Sequence, residues 1–233
     1  MATEGLVHVF RHRRLAQPFW LAALALVLGL TACSSTGTAV SADGSAQQRA
    51  RLRMELALGY FQNGQSAVAM EEIRQVLSAD PRHGPAYNLQ GLILLQQGDR
   101  AGAERSLRKA VSLDGHDADA RHNLGLLLCE QGAYDESVQQ FDQALAEPAY
   151  AGKSRTHLAA GTCALQAGQA AQAASHARAA NAQQPSAASL WLGMRAERQL
   201  GHAQAVSDYA GRLQQQFPDS AEMQRYQRQA WND

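Results

Sequence analysis

Residues 84–117 read GPAYNLQGLILLQQGDRAGAERSLRKAVSLDGHD, and residues 118–153 repeat this layout as ADARHNLGLLLCEQGAYDESVQQFDQALAEPAYAGK. Each stretch has one glycine flanked by leucines, Gly91 in the first and Gly125 in the second, 34 residues apart. In both stretches another glycine follows a glutamine seven positions later. A unit of this length with a small residue inside and a glycine after it predicts two helices joined by a turn.

The same pattern extends outward in both directions along the chain. Three rows of equivalent residues recur at intervals of 32 to 36 residues: Ala57, Gly91, Gly125, Gly161 and Gly193; Gly64, Gly98, Gly132, Gly168 and Gly201; and Ala69, Ala103, Ser137, Ala173 and Ala205. Antiparallel helices pack closely where a small side chain lets the backbones approach and a large one fills the neighbouring gap. Five repeats follow, at about 50–83, 84–117, 118–153, 154–185 and 186–218.

These repeats resemble the tetratricopeptide repeat, a 34-residue helix-turn-helix unit. The resemblance implies an all-α superhelix of about five repeats over residues 50–231. Residues 219–231 place Met223, Tyr226 and Ala230 near one face, which predicts a terminal helix that caps the last repeat. Because each repeat contacts only its neighbours, we expect one continuous domain.

The amino-terminal residues have the layout of an export signal. Basic residues at 11–14 precede a 14-residue run of apolar or small residues, FWLAALALVLGLTA, at positions 19–32. The run ends in Leu30-Thr31-Ala32-Cys33, which resembles the bacterial lipobox and implies cleavage after residue 32 and lipidation of Cys33. A core helix with a chance cysteine and an ordinary signal peptide are the alternatives.

Lipidation would decide where the protein resides. Several acyl chains on one residue, palmitate among them, anchor a protein firmly, whereas a single chain binds a membrane only marginally. Ser34 stands where aspartate tends to retain lipoproteins in the inner membrane, so the resemblance implies the periplasmic face of the outer membrane. Residues 33–49 begin with small polar residues and are interpreted as a flexible tether.

Composition and motifs favour a binding protein over an enzyme. The chain has 21 basic and 21 acidic residues, a balance that does not favour binding to nucleic acid. The sequence has no HExxH, GxSxG or phosphate-binding glycine loop, so we expect neither catalysis nor a small-molecule substrate. The histidines after Cys33 are too scattered along the chain to suggest a metal site, and we expect no cofactor apart from the lipid.

Cys129 and Cys163 lie in the first helices of repeats 3 and 4, which are neighbours in a superhelix. A disulfide between them is geometrically plausible if their Cα atoms lie within about 7 Å. An oxidising periplasm would favour the bond. Two buried free thiols are the alternative.

The concave surface of such an array is formed by the first helix of each repeat. Candidate lining residues are Met54, Leu58, Phe61, Asn88, Leu92, Leu95, His122, Leu126, Glu130, Leu158 and Met194. Several are larger and more apolar than a solvated face requires, although some of them could instead belong to the core between paired helices. An apolar groove of this kind suits an amphipathic helix or an extended segment of a partner protein.

Several stretches also resemble the type IV pilus biogenesis and stability lipoproteins, the pilotin family PilW/PilF. They are ELALGYFQNG at 55–64, NLGLLLCEQGAYD at 123–135, AEPAY at 146–150, GTCAL at 161–165, LWLGMR at 190–195 and FPDSAE at 217–222. Both cysteines fall within these stretches, which supports their pairing. The resemblance implies an outer-membrane lipoprotein that helps the pilus secretin to reach the membrane and form its multimeric ring.

The chain departs from this family in one respect. Family members usually have six repeats, whereas here Gln184-Pro185 leads directly into the LWLGMR stretch. The groove is therefore expected to be shorter. A competing hypothesis is a periplasmic scaffold lipoprotein that recruits envelope or cell-wall assembly enzymes.

Overall fold

The computed structural model describes residues 42–231. Within this range the chain forms eleven α-helices and no strand. The helices are α1 (Ala42–Gln62), α2 (Ser66–Ala79), α3 (Gly84–Gln96), α4 (Arg100–Leu113), α5 (Ala118–Glu130), α6 (Tyr134–Ala146), α7 (Lys153–Gln166), α8 (Ala170–Gln183), α9 (Ala187–Gln199), α10 (Ala203–Gln216) and α11 (Ala221–Gln227).

The helices stack as five antiparallel pairs followed by a single helix. Each helix packs against the next along the chain, and each odd-numbered helix also contacts the following odd-numbered helix, from α1 through α11. The odd-numbered helices therefore line one face of the array, and the even-numbered helices α2–α10 form the other layer. This arrangement confirms the predicted tetratricopeptide-repeat superhelix.

Close helix packing depends on the first row of small residues. A Cβ atom added at Gly91 would lie 2.7 Å from Leu107 Cγ, and one added at Gly125 would lie 2.7 Å from Phe141 Cε1. Both distances are too short for real carbon atoms, so no larger residue fits without displacement of the facing helix. Leu107 and Phe141 are fully buried, and the small residues opposite them let the paired helices meet.

The second row of glycines ends the first helix of each pair. Gly64, Gly98, Gly132, Gly168 and Gly201 all have positive φ values, between 75° and 83°. This left-handed conformation suits glycine and turns the chain into the next helix. The predicted turns inside the repeats are therefore where the sequence pattern places them.

Helix α1 begins earlier than the sequence interpretation allows. Residues 42–49, assigned to the tether, are helical, so this part of the assignment was wrong. Glutamine, arginine and alanine in this stretch favour a helix, and Ala50 is buried against the first core cluster. Residues 1–41, which include the signal sequence, Cys33 and the rest of the tether, lie outside the described residues.

The carboxyl-terminal helix is shorter than predicted. It ends at Gln227, because Gln229 takes a φ of 54° and turns the chain back. Met223 is buried against α9 and α10, and Tyr226 and Trp231 pack on the same cluster. The segment therefore covers the last pair, as a cap must. Between Ala42 and Gln227, no helix has the length and hydrophobicity that a membrane span requires.

Candidate protein-binding groove

The face formed by α1, α3 and α5 presents apolar side chains to solvent. Leu58 is 44% exposed and Leu126 is 38% exposed, values unusual for leucine in a packed helix pair. Leu92 and Leu95 on α3, and Leu158 on α7, are half-buried along the same series of helices. We call Leu58, Leu92, Leu95, Leu126, Glu130 and Leu158 the groove.

Polar groups flank these leucines. Asn123 Nδ2 donates a hydrogen bond of 2.8 Å to Asn88 Oδ1 and so links α5 to α3. Glu130 is exposed and forms a 2.7 Å ion pair with Arg100. The groove therefore combines partly exposed leucines with neighbouring amides and a charge pair, a mixture that suits binding and orienting a partner peptide.

Some of the predicted groove residues also pack on core clusters, Leu95 and Leu158 in the same half-buried way as Met54 and Phe61. Met54 and Phe61 are half-buried and pack against the cluster that contains Ile73 and Val76. Their orientation follows from α1 packing directly on α2, since a bulky residue beside a small one fills the space between paired helices. They support the first repeat and offer only part of their surface to a partner.

His122 and Met194 are not groove residues, and this part of the interpretation was wrong. Met194 is fully buried, packed in a cluster with Leu213 and Met223. His122 is 6% exposed, and its Nδ1 lies 2.8 Å from the hydroxyl of Thr156, itself fully buried. The histidine therefore joins α5 to α7 and contributes to stability.

Burial, and to a smaller extent the positive charge of Arg155, lower the pKa of His122 to about 4. The neutral form is the one the fold accommodates, since a charged imidazole would lose its hydration. An unfolded chain would bind a proton near the ordinary histidine pKa of about 6.5. The folded state is thus penalised as the pH falls from 6.5 towards 4.

We expect this histidine to make stability strongly dependent on pH. Between pH 7.5 and pH 5, its contribution to the free energy of unfolding should fall by about 2 kcal/mol, because only the unfolded chain gains the proton. Urea unfolding followed by circular dichroism at both pH values measures this loss. His122→Gln should reduce the loss by that amount, and equal losses in both proteins would contradict the prediction.

The fold brings together two histidines that the sequence separates. His157 on α7 and His176 on α8 have Nδ1 atoms 3.1 Å apart. Burial lowers the pKa of both side chains, so the pair is accommodated as two neutral rings, one donating to the other. Over residues 42–231, no group of three or more histidine, cysteine, aspartate or glutamate side chains is arranged to hold a metal ion.

Cys129 and Cys163 form a disulfide that joins α5 to α7. Their Cα atoms are 5.8 Å apart, within the range a disulfide requires. Cys163 is buried beside Phe141 and Ala160, and Cys129 packs against the same cluster. The bond therefore fixes repeat 3 to repeat 4 through α5, the helix that also carries Leu126 and Glu130 of the groove.

Helix α1 carries a second exposed apolar surface, which was not predicted from the sequence. Leu52 and Leu56 are 54% and 52% exposed and line an open pocket of about 570 Å³ together with Tyr60. Their spacing of four residues was visible in the sequence as one helix face. The repeat pattern did not reveal it, because neither Leu52 nor Leu56 belongs to one of the rows of small residues that mark the repeats.

The paired helices, the glycine turns and the shared face of odd-numbered helices define a tetratricopeptide-repeat fold. The family model of the tetratricopeptide repeat matches residues 54–114 and 88–152, which agrees with the second and third helix pairs and part of the first. Proteins of this fold are scaffolds for interactions with other proteins. No curated protein matches the chain in sequence.

Among solved structures, the chain is similar to two type IV pilus proteins. PilW, a widely conserved type IV pilus biogenesis factor, is 26% identical, with a TM-score of 0.57 over 77% of this chain and 98% of PilW. PilF of Pseudomonas aeruginosa is 22% identical, with a TM-score of 0.59 over 79% of this chain and 99% of PilF. The resemblance to PilW and PilF suggested by the sequence is confirmed, at low identity.

A third structure shares the fold alone. YrrB, a tetratricopeptide-repeat protein with an unusual peptide-binding site, is 15% identical, with a TM-score of 0.63 over 82% of this chain and all of YrrB. The repeat architecture is thus common to proteins of different function, and function must be argued from the groove.

Proposed function

We propose that this protein is a non-catalytic adaptor for type IV pilus biogenesis that binds a segment of the pilus secretin in the groove. The similarity to PilW over nearly the whole of that protein is the observation that carries the proposal. The groove supplies the physical means, since its partly exposed leucines lose water when a partner covers them. A bound secretin segment would be held near the membrane while its ring assembles.

We further propose that a lipid on Cys33 anchors the adaptor to the periplasmic face of the outer membrane. The lipobox-like Leu30-Thr31-Ala32-Cys33 and the preceding basic and apolar residues support this localisation. Ser34 supports the outer rather than the inner membrane.

Replacing Cys33 with serine tests the anchor. Cys33→Ser should move the protein out of the outer-membrane fraction, because the hydroxyl cannot accept the thioether-linked lipid. Fractionation of cell envelopes, followed by immunoblotting, measures the shift. Ser35→Ala, two positions after Cys33, is the matched control and should stay in the outer membrane. Unchanged fractionation of Cys33→Ser would refute lipid anchoring.

Charged substitutions in the groove should weaken secretin binding. We expect Leu58→Glu, Leu92→Glu and Leu126→Glu each to reduce the affinity about tenfold or more, since a carboxylate must then be buried against an apolar partner. Binding is measured with immobilised secretin, and circular dichroism checks that the helical content is unchanged. Val68→Glu, at an exposed apolar position on α2 outside the groove, is the control and should bind normally.

Deletion of the gene distinguishes the two candidate classes of adaptor. Loss of surface pili and of secretin multimers would support the proposal. Altered envelope composition with normal pili would favour a scaffold for envelope assembly enzymes instead. Unchanged secretin binding by all three groove variants would show that the groove is not the binding site.

A further inference from the structure

The last odd-numbered helices present a basic pocket. Arg195 on α9 lines a cavity of about 300 Å³ with Arg198 and Trp231. It also lines an adjoining cavity of about 220 Å³ with Arg225 of α11. We call Arg195, Arg198, Arg225 and Trp231 the arginine pocket.

These arginines have no acidic partner in the described part of the chain. Nine ion pairs lie within residues 42–231, and none includes Arg195, Arg198 or Arg225. Glu222 lines the smaller cavity but lies more than 4 Å from each of the three guanidinium groups. Counted over residues 42–231, the pocket therefore has three positive charges and one negative charge, and its guanidinium groups can donate hydrogen bonds to a bound acceptor.

The pocket has a rigid wall. Trp231 stacks on the buried Trp191 with ring centroids 5.2 Å apart and an angle of 11° between the planes. The Arg198 guanidinium lies 4.4 Å from the centre of the Trp231 ring. The Ala230 N–H donates to the Arg225 carbonyl and fixes the returning chain end. An arrangement set before binding reduces the entropy lost when a ligand is held.

The arginine pocket is continuous with the groove. Leu158 of the groove and the neighbouring Thr162, both on α7, line the smaller cavity together with Arg195. Helix α7 in turn contacts α5, which carries Leu126. The same face is thus apolar at α1–α5 and basic at α9 and α11.

We propose that the groove binds a protein segment whose apolar side chains lie along α1–α5 and whose acidic end lies in the arginine pocket. The inference rests on the proposed function of the groove and adds the chemistry and direction of the bound segment. Guanidinium groups bind carboxylates through paired hydrogen bonds, which fixes orientation as well as affinity. Acidic side chains or a free terminal carboxylate supply the same acceptor oxygens.

Two 12-residue peptides that carry an uncharged BODIPY label at the amino terminus test this inference on the full chain in detergent. The acidic probe has a leucine-alanine first half and an aspartate-glutamate second half; the neutral probe replaces the acids with their amides and ends in a carboxamide. Fluorescence anisotropy should show the acidic probe binding at least about tenfold more tightly. An acidic sequence with an amidated end then separates side-chain carboxylates from the terminal carboxylate.

Reversal of two charges provides the matched comparison. Arg195→Glu with Arg225→Glu should abolish the preference for the acidic probe and leave the affinity for the neutral probe within twofold. Arg105→Glu, on an exposed position of α4, should change neither. Equal affinities for both probes, or an unchanged preference in the double variant, would overturn the inference.

Two further outcomes separate this inference from the proposed function. If Leu126→Glu weakens the binding of both probes but the arginine variants weaken neither, the groove is a binding site. The proposed placement of the acidic end in the arginine pocket is then refuted. If the acidic preference depends on the arginines although the secretin does not bind, the inference stands and the secretin assignment fails. Arginine-dependent binding of anionic phosphatidylglycerol vesicles in place of the acidic probe would also overturn it.

Discussion

Replacing Phe141 with alanine is expected to lower the free energy of unfolding by about 3 to 5 kcal/mol, a large share of the stability of a domain this size. Phe141 is fully buried, its ring fills the space opposite Gly125, and it packs with Cys163 and Ala160. Nothing nearby can collapse into the space, because the facing residue has no side chain. Urea unfolding followed by circular dichroism measures the loss.

A double-mutant cycle tests whether the helix contact is the cause. Gly125→Val alone should destabilise the protein, since its Cβ would meet the Phe141 ring. The same change should cost less in the Phe141→Ala background, where the space is vacant, giving a coupling free energy above about 1 kcal/mol. Leu126→Ala, at an exposed position of the same helix, is the control and should cost little. Strict additivity would contradict the packing described for α5 and α6.

Reduction of the bond between Cys129 and Cys163 is expected to lower the free energy of unfolding by about 3 to 4 kcal/mol in the chain-entropy model. The bond closes a loop with a sequence separation of 34 residues, so its loss gives the unfolded chain more conformations. Thermal unfolding with and without a reductant measures the difference.

The variant in which both cysteines are alanine supplies the control for the reductant. Its transition should match that of the reduced wild type closely and should not move when the reductant is added. Identical transitions for the oxidised and reduced wild type would refute a stabilising disulfide. Secretin binding measured on the same samples would show whether fixing α5 to α7 also shapes the groove.

The fold was predictable because small residues and turn glycines recur at a regular spacing within each repeat. Gly125 and Gly193 mark close approaches to Phe141 and Tyr209 sixteen residues later, and the spacing alone indicates such pairs. Five turn glycines mark the helix ends. Residues 42–49 were assigned wrongly because they lie outside the repeat pattern. Only the helix propensity of their residues indicates a helix there, and that is a weak signal.

The groove was predictable only in part, since lining and core positions alternate within one helix turn. Leu126 and Leu127 are adjacent in sequence, yet Leu126 is exposed and Leu127 is buried. His122 looked like a surface residue because histidine is polar, and its partner Thr156 lies 34 residues away. A small rotation of α5 decides which side chains face solvent, and sequence spacing does not fix that rotation.

Contacts between side chains on different helices were the least predictable features. The histidine pair joins positions 19 residues apart on facing helices, and neither residue belongs to a motif. The arginine pocket requires the chain to turn back at Gln229, which has a positive φ. Glutamine rarely adopts this conformation, so the sequence does not predict the turn. Both features depend on where helices meet in space.

Capture of the secretin from envelope extracts tests the central claim most directly. The full chain, immobilised from detergent, is incubated with extract and the bound proteins are identified by mass spectrometry, with Leu92→Glu/Leu126→Glu and Val68→Glu run in parallel. The wild type and Val68→Glu are expected to retain the pilus secretin, and the groove double variant is expected to lose it. Equal recovery by all three, or recovery by none, would contradict the central claim.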